Sequence, residues 1–210
     1  MNQAAKFTDR KFVLTLIFVV SLFALWGIAL SMSDVLNKHF QNVLNISKSQ
    51  SGLIQLSVFG AYFIMSIPAG LFMRRFGYKN GVLLGLTLFA AGTFLFVPAA
   101  NAESFGFFRI ALFILGCGMA TLETVAHPFV AALGDQRTSD QRMNFAQSFN
   151  AVGTIIGPLL GSYFLLRATH GGVDKNLDSV KDLYLYISLF ILVLAVSFSF
   201  VKVPNLVDPH

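Results

Sequence analysis

Six stretches of nearly unbroken apolar residues, parted by short polar breaks, run through this chain at about 12–40, 50–73, 80–100, 104–133, 143–166 and 182–202. Each holds roughly 20 residues or more, the length an α-helix needs to cross a hydrocarbon core about 30 Å thick. Inside each stretch the apolar residues follow one another instead of alternating with period two, which argues against barrel strands. The breaks carry turn and charge signals: Asn45-Ile46-Ser47-Lys48, Arg74-Arg75-Phe76-Gly77-Tyr78-Lys79-Asn80, Gly134-Asp135-Gln136-Arg137 and Gly171-Gly172-Val173-Asp174-Lys175. The pattern predicts an all-α integral membrane protein, with residues 1–210 forming one six-helix transmembrane bundle in the lipid bilayer.

Composition strengthens that reading. Only 12% of the 210 residues are charged, against about 25% in soluble domains, and the mean hydropathy is +0.69. The net charge of +5 is no nucleic-acid signal, because the basic residues sit in short loops between spans and not on one face. The single cysteine, Cys117, allows no internal disulfide and belongs to no metal pattern, so it reads as a small core residue and no cofactor is expected. Lys6, Arg10 and Lys11 precede the first apolar run as in a signal peptide, and Ala29-Leu30-Ser31 loosely imitates a cleavage site. The run from Phe12 to Met32 nevertheless exceeds the about 7–15 residues of a signal h-region. It reads as a retained first helix.

Six spans put both termini on one side. With that side inward, the inner segments hold Lys6, Arg10, Lys11, Arg74, Arg75, Lys79, Arg137, Arg142 and Lys202. The outer segments hold Lys38, Lys48, Arg109, Arg167, Lys175 and Lys181. The excess predicts cytoplasmic termini. Asn45-Ile46-Ser47 matches a glycosylation sequon that would face outward, a match without meaning in a bacterial protein.

Two acids fall inside spans, where a carboxylate is costly and marks an ion or substrate pathway by default. Asp34 lies about 12 Å outward of the first helix midpoint near Trp26. It is either an interfacial acid wetted by headgroup water or an interior acid that takes and releases a proton; Val35, Leu36, Phe40 and Val43 around it favour the second. Glu123 lies a turn inward of the fourth helix centre, with His127 four residues later on the same face. Such a pair can hold a proton or grip a hydroxylated ligand, and a satisfied core histidine is the alternative. Pro128 kinks the helix and frees carbonyls beside them. Gln147 and Asn150, three apart in the fifth helix, offer paired donors and acceptors for sugar hydroxyls or, equally, interhelical hydrogen bonds. Trp26 serves as a sugar-stacking platform or as packing. Straight helices separate Asp34 from Glu123 by about 19 Å along the membrane normal, so the acids are expected to act apart, coupling at Asp34 and binding at Glu123. Gly153, Gly157 and Gly161 recur every four residues and permit close helix packing. No metal cluster, nucleophile elbow or phosphate loop is present in the sequence, so an enzyme is not expected.

Several segments together resemble the fucose–galactose–glucose:proton symporter family of the major facilitator superfamily. They are Phe23-Ala24-Leu25-Trp26-Gly27 leading to Asp34, Gly60-Ala61-Tyr62-Phe63 with Ile67-Pro68-Ala69-Gly70, Leu122-Glu123-Thr124 before Pro128-Phe129, and Ala146-Gln147-Ser148-Phe149-Asn150. The resemblance covers nearly the whole chain and corresponds to the N-terminal six-helix half of such a transporter. It implies two inverted three-helix repeats, proton coupling at Asp34, and sugar contacts from Glu123, Gln147 and Asn150. Gly70-Leu71-Phe72-Met73-Arg74-Arg75-Phe76-Gly77-Tyr78-Lys79 resembles the superfamily's basic loop, with Met73 where an acid often forms an interdomain charge contact. His127 stands where the family typically has Asn, a departure that would change sugar preference or add a titrating group. Leu30-Ser31-Met32-Ser33 replaces the asparagine pair often found before the first-helix acid.

The resemblance implies a hexose or deoxyhexose symporter in the cell inner membrane, driven by protons, with sodium coupling or an amphipathic drug substrate as alternatives. Such carriers pair two six-helix halves around the substrate. The chain is therefore expected to be a fragment ending in the central linker, or a half that pairs with a second copy or a separate C-terminal half. The rival function is a non-transporting sugar sensor or an assembly partner.

Overall fold

The computed structural model describes residues 6–43, 47–167 and 178–203. Residues 45 and 46 of the sequon, the loop signal at 171–175 and the tail from 204 onward lie outside them. The described residues form helices α1 (Val13–Val43), α2 (Lys48–Phe94), α3 (Phe96–Asn101), α4 (Phe105–Ala132), α5 (Ser139–Arg167) and α6 (Asp178–Phe200). Short 3-10 turns at Arg10–Phe12 and Gln136–Thr138 lead into α1 and α5. No strand occurs among the described residues.

The 47 residues of α2 would reach about 70 Å if straight, more than twice the hydrocarbon thickness. The path instead folds at Gly77, whose φ of 83° and ψ of 169° belong to a region open essentially to glycine alone. The helices expected at 50–73 and 80–100 are thus two arms, 48–76 and 78–94, with α3 extending the second. At the start of α2, Ser47 Oγ accepts from the Gln50 backbone N–H at 3.2 Å, and the Ser47 N–H donates to Gln50 Oε1 at 2.9 Å. This reciprocal cap satisfies two donors that would otherwise be orphaned at a helix start.

Length and composition make four described stretches apolar enough to cross a membrane: Arg10–Val35, Ser49–Asn101, Phe105–Ala132 and Val180–Phe200. The second contains both arms of α2. Helix α5 is long enough, but Asp140, Arg142, Asn144, Gln147 and Asn150 make its first half polar.

Helix α1 packs on α5, and α4 packs on both arms of α2, meeting Val58 and Ala61 of the first and Gly81, Gly85 and Phe89 of the second. The contacts of α1 with α5 and of α4 with the first arm are the exchange an inverted repeat requires, the first helix of each repeat lying against the second helix of the other. The α1–α5 seam is a backbone contact. A Cβ at Gly27 would run into the carbonyl oxygen of Asn150, one at Gly153 into that of Ala24, and one at Gly157 into Ser31 Oγ and the Ile28 carbonyl. Close approach of this kind is what small residues at a membrane helix crossing allow. On the other side, α6 lies along the second arm of α2 and along α3, with Tyr184 stacked on Phe96 at 3.9 Å.

At the end of the bundle where α4 and α6 finish, two basic side chains bind helix C-terminal carbonyls. Lys79 Nζ donates to Ser199 O at 2.6 Å and Val201 O at 2.9 Å. Arg142 is fully buried. Its Nε donates to Val130 O at 3.0 Å and its Nη1 to Phe7 O at 2.8 Å and Thr138 Oγ1 at 2.7 Å, while Nη2 donates to Ala131 O. The last four carbonyls of a helix lack intrahelical partners and carry partial negative charge, so a cation there is doubly favoured. Thr8 Oγ1 donating to Leu133 O at 2.7 Å completes a knot that ties residues 6–9 across the α4–α5 turn.

Arg142→Met removes the guanidinium's donors from that knot. At about 1.5–3 kcal/mol for a hydrogen bond to a charged group, the expected result is a lowered unfolding temperature of the detergent-solubilised protein, with Arg142→Lys recovering only part. Differential scanning fluorimetry checks it; an unchanged melting temperature in Arg142→Met would remove the knot's structural role.

Candidate functional site

The polar residues of four helices meet on one face. Trp26 of α1 donates its indole N–H to the hydroxyl of Tyr62, on the first arm of α2, at 2.7 Å. A phenol has a single proton, and the Tyr62 hydroxyl in turn hydrogen-bonds the Glu123 carboxylate on α4. The chain of donors runs Trp26 to Tyr62 to Glu123, so a half-buried acid in an apolar helix is held from a neighbouring helix. A short turn further along α4 stands His127. Pro128 has no N–H, so the Thr124 carbonyl lacks its helical donor. In this same turn the His127 ring places Nδ1 2.8 Å from the carbonyl oxygen of Glu123. Its other nitrogen, Nε2, lies 2.9 Å from Gln147 Nε2 of α5. The ring is wedged edge-on against Phe23 at 5.1 Å and Trp26 at 6.5 Å between centroids.

Of the residues singled out in the sequence, Trp26, Glu123, His127 and Gln147 are brought together. Asn150 is divided from them in its bonding: its Nδ2 donates to the Phe23 carbonyl at 3.2 Å, across the α1–α5 seam. That is the interhelical alternative for this amide, and it leaves Gln147 as the member of the pair that faces the Glu123–His127 turn. Asp34 stands elsewhere. It is eight residues beyond Trp26, about 12 Å along α1, exposed on the surface of the chain, and its Oδ1 accepts from Gln55 Nε2 at 3.0 Å. The two acids belong to separate hydrogen-bonded groups. Ser31 and Ser33 bond back to carbonyls of their own helix, so they leave Asp34 to Gln55.

Tyr62, Gln55 and Phe23 escaped the sequence reading as site residues. Tyr62 offered a signal, a phenol in an otherwise apolar run at Gly60–Ile67 interrupted only by Ser66, yet nothing in spacing links it to an acid sixty residues away. Gln55 marks α2 in the same way, as an amide one turn beyond Ser51 in an apolar helix.

The space around these groups is open instead of enclosed. The cavity between α1 and α4, lined by Leu22, Phe23, Trp26, Leu122, Glu123 and Ala126, measures about 10 Å³, no more than one water. Trp26, Tyr62, Glu123, His127 and Gln147 are all partly exposed. A larger cavity of about 350 Å³ lies between α1 and α6. Apart from two tyrosines its polar lining is Thr93, whose hydroxyl is spent on the Phe89 and Ala90 carbonyls. It holds no carboxylate or amide, so the chemistry belongs to the open face.

Comparison with known proteins identifies what the chain as a whole is similar to. The L-fucose-proton symporter of Haemophilus influenzae is 47% identical over 177 residues, which are 84% of this chain and 40% of that protein. A glucose/galactose transporter of Brucella abortus is 37% identical over 199 residues, 94% of this chain and 48% of that one. The crystal structure of the Escherichia coli fucose:proton symporter superposes with a TM-score of 0.80 at 34% identity, covering 94% of this chain and 51% of that chain. The chain thus spans about half the length of the curated relatives it matches. Residues 12–208 match the model of the Major Facilitator Superfamily, and with that match running over nearly its whole length the chain belongs to this superfamily.

Proposed function

We propose that this chain forms the N-terminal half of a proton-coupled symporter for a small neutral sugar, a hexose or deoxyhexose such as fucose, galactose or glucose. The observation that carries the reading is the open face on which Trp26, Tyr62, Glu123, His127 and Gln147 converge. A carboxylate, an amide and an aromatic platform on one surface supply what a sugar needs, hydrogen-bond partners for its hydroxyls and an apolar plane for its C–H face. The names of relatives at 37% and 47% identity support the same class of substrate. The proposed location is the bacterial cytoplasmic membrane, with both termini in the cytoplasm on the strength of the lysine and arginine bias.

A face is half of a binding site. A second six-helix body, either a separate C-terminal half or another copy of this chain, covers it and rocks against it to open the sugar to each side in turn. The coupling acid is Asp34. Covering this exposed acid with the second body strips its water, which for a charged carboxylate is unfavourable by several kcal/mol. Binding a proton removes that charge, so closure over the sugar is favoured when Asp34 is protonated. The inward proton gradient then supplies the drive. Glu123, already held by Tyr62, stays with the sugar.

External pH recorded while L-fucose, D-galactose or D-glucose is added to de-energised liposomes holding the protein tests the reading. Sugar-dependent alkalinisation is expected. A folded, inserted protein that binds sugar without proton movement would make it a sensor or an assembly partner. Asp34→Asn is expected to abolish accumulation and to retain sugar exchange; loss of exchange as well would refute the division of labour between the acids. Tyr62→Phe removes the proton donated to Glu123 and is expected to weaken sugar binding about tenfold, the equivalent of about 1.4 kcal/mol. Emission of Trp26, the sole tryptophan, reports that binding directly.

A further inference from the structure

The His127–Gln147 contact has a definite polarity. The Glu123 carbonyl can only accept, so the nitrogen beside it, Nδ1, carries a proton. In a neutral ring Nε2 then bears a lone pair, and the group 2.9 Å away on Gln147 is its NH2, a donor. An amide that turns its NH2 toward the ring has its Oε1 on the opposite edge. Protonating the ring reverses this. Both nitrogens become donors, the NH2 of Gln147 meets an N–H, and the amide must rotate to offer Oε1 to His127.

We propose that His127 is a positioning residue that sets the polarity of Gln147: with the ring neutral Gln147 meets the ligand as an acceptor, and with the ring protonated as a donor. The same site would therefore read a sugar hydroxyl as a donor or as an acceptor according to the state of one imidazole. In calling the far edge of Gln147 the ligand side the inference rests on the sugar-binding reading above; the tautomer and the amide orientation do not. Among the described residues one charged group faces the ring. Helix α1 contributes Phe23 and Trp26, neither of which titrates in the physiological range. Helix α5 contributes the neutral Gln147, while its Arg142 is committed to the end of α4. The hydroxyl of Tyr62 on α2 is committed to Trp26 and Glu123. Glu123, four residues before on the same helix, is the charged group that interacts electrostatically with the ring.

Nitrogen-15 spectra of the histidine-labelled chain in nanodiscs, without sugar, test the pair. The His127 resonances are identified by their loss in His127→Asn. The neutral ring is expected to carry its proton on Nδ1, with a hydrogen-bonded, unprotonated Nε2. In Gln147→Leu the tautomer should persist while the Nε2 hydrogen-bond signature disappears. Gln147→Glu replaces the donor by a group that only accepts, so His127 should appear as imidazolium at a pH where the parent ring is neutral. A parent ring protonated on Nε2, or a neutral ring in Gln147→Glu, would overturn the assignment. The ligand arm uses Trp26 emission to compare D-galactose with its deoxyfluoro analogues, in which fluorine cannot donate. The affinity ratio for the analogue altered at the Gln147 contact should change about tenfold across the titration of the ring and stay constant in His127→Phe. A ratio constant in the parent chain overturns the specificity role. Absence of any sugar response counts against the transport reading, and the spectra still decide the pair.

Discussion

The backbone contact between α1 and α5 fixes the distances on which the rest depends. Gly27, Gly153 and Gly157 let the two helices approach until carbonyl oxygens occupy the space where side chains would stand. Because α1 carries Phe23 and Trp26 and α5 carries Gln147 and Asn150, the depth of that contact sets how near the aromatic rings lie to the amides. Asn150 fastens the seam itself by donating to the Phe23 carbonyl. With α5 drawn in, Gln147 reaches the His127 ring, and the ring closes against Phe23 and Trp26. A larger residue in the seam would part this set without touching any member of it.

Low dielectric surroundings then dictate how the polar groups are arranged. An unpaired polar atom inside a bundle costs more than a hydrogen bond returns. Each group at the site accordingly bonds a neighbour: Trp26 to Tyr62, Tyr62 to Glu123, His127 to the Glu123 carbonyl and to Gln147. A network satisfied within the chain holds its members at fixed separations across four helices. Asp34 differs by lying exposed, bonded to Gln55 and outside the network around Glu123.

The basic residues show the same economy at the other end of the bundle. Lys79 and Arg142 count toward the charge bias that predicts orientation, yet both bind the C-terminal carbonyls of helices. Arg142 further joins residues 6–9 to the α4–α5 turn, so the entry to α1 and the entry to α5 are held by one guanidinium. Main-chain carbonyls are the direct hydrogen-bond partners of this buried guanidinium, and the Asp135 carboxylate adds an electrostatic attraction.

The chain's own pattern established an all-helical membrane bundle, because runs of about 20 apolar residues have no other stable solution in a bilayer. It also placed a break within 74–80, the small-residue stripe of α5 and the two acids, since each is a local property of composition and spacing. Glu123 and His127 were legible as a pair because four residues of helix put them on one face. Contacts between distant segments were another matter. Tyr62 beside Glu123, Gln55 beside Asp34, Asn150 at the seam and Arg142 at the end of α4 come from helices whose relative rotation and depth no spacing rule encodes. The division of Gln147 from Asn150 shows the point: two amides three apart share a face, but which of them meets the imidazole and which meets a carbonyl depends on where α1 and α4 press against that face. Local sequence fixes what a helix offers, and packing fixes to whom it is offered.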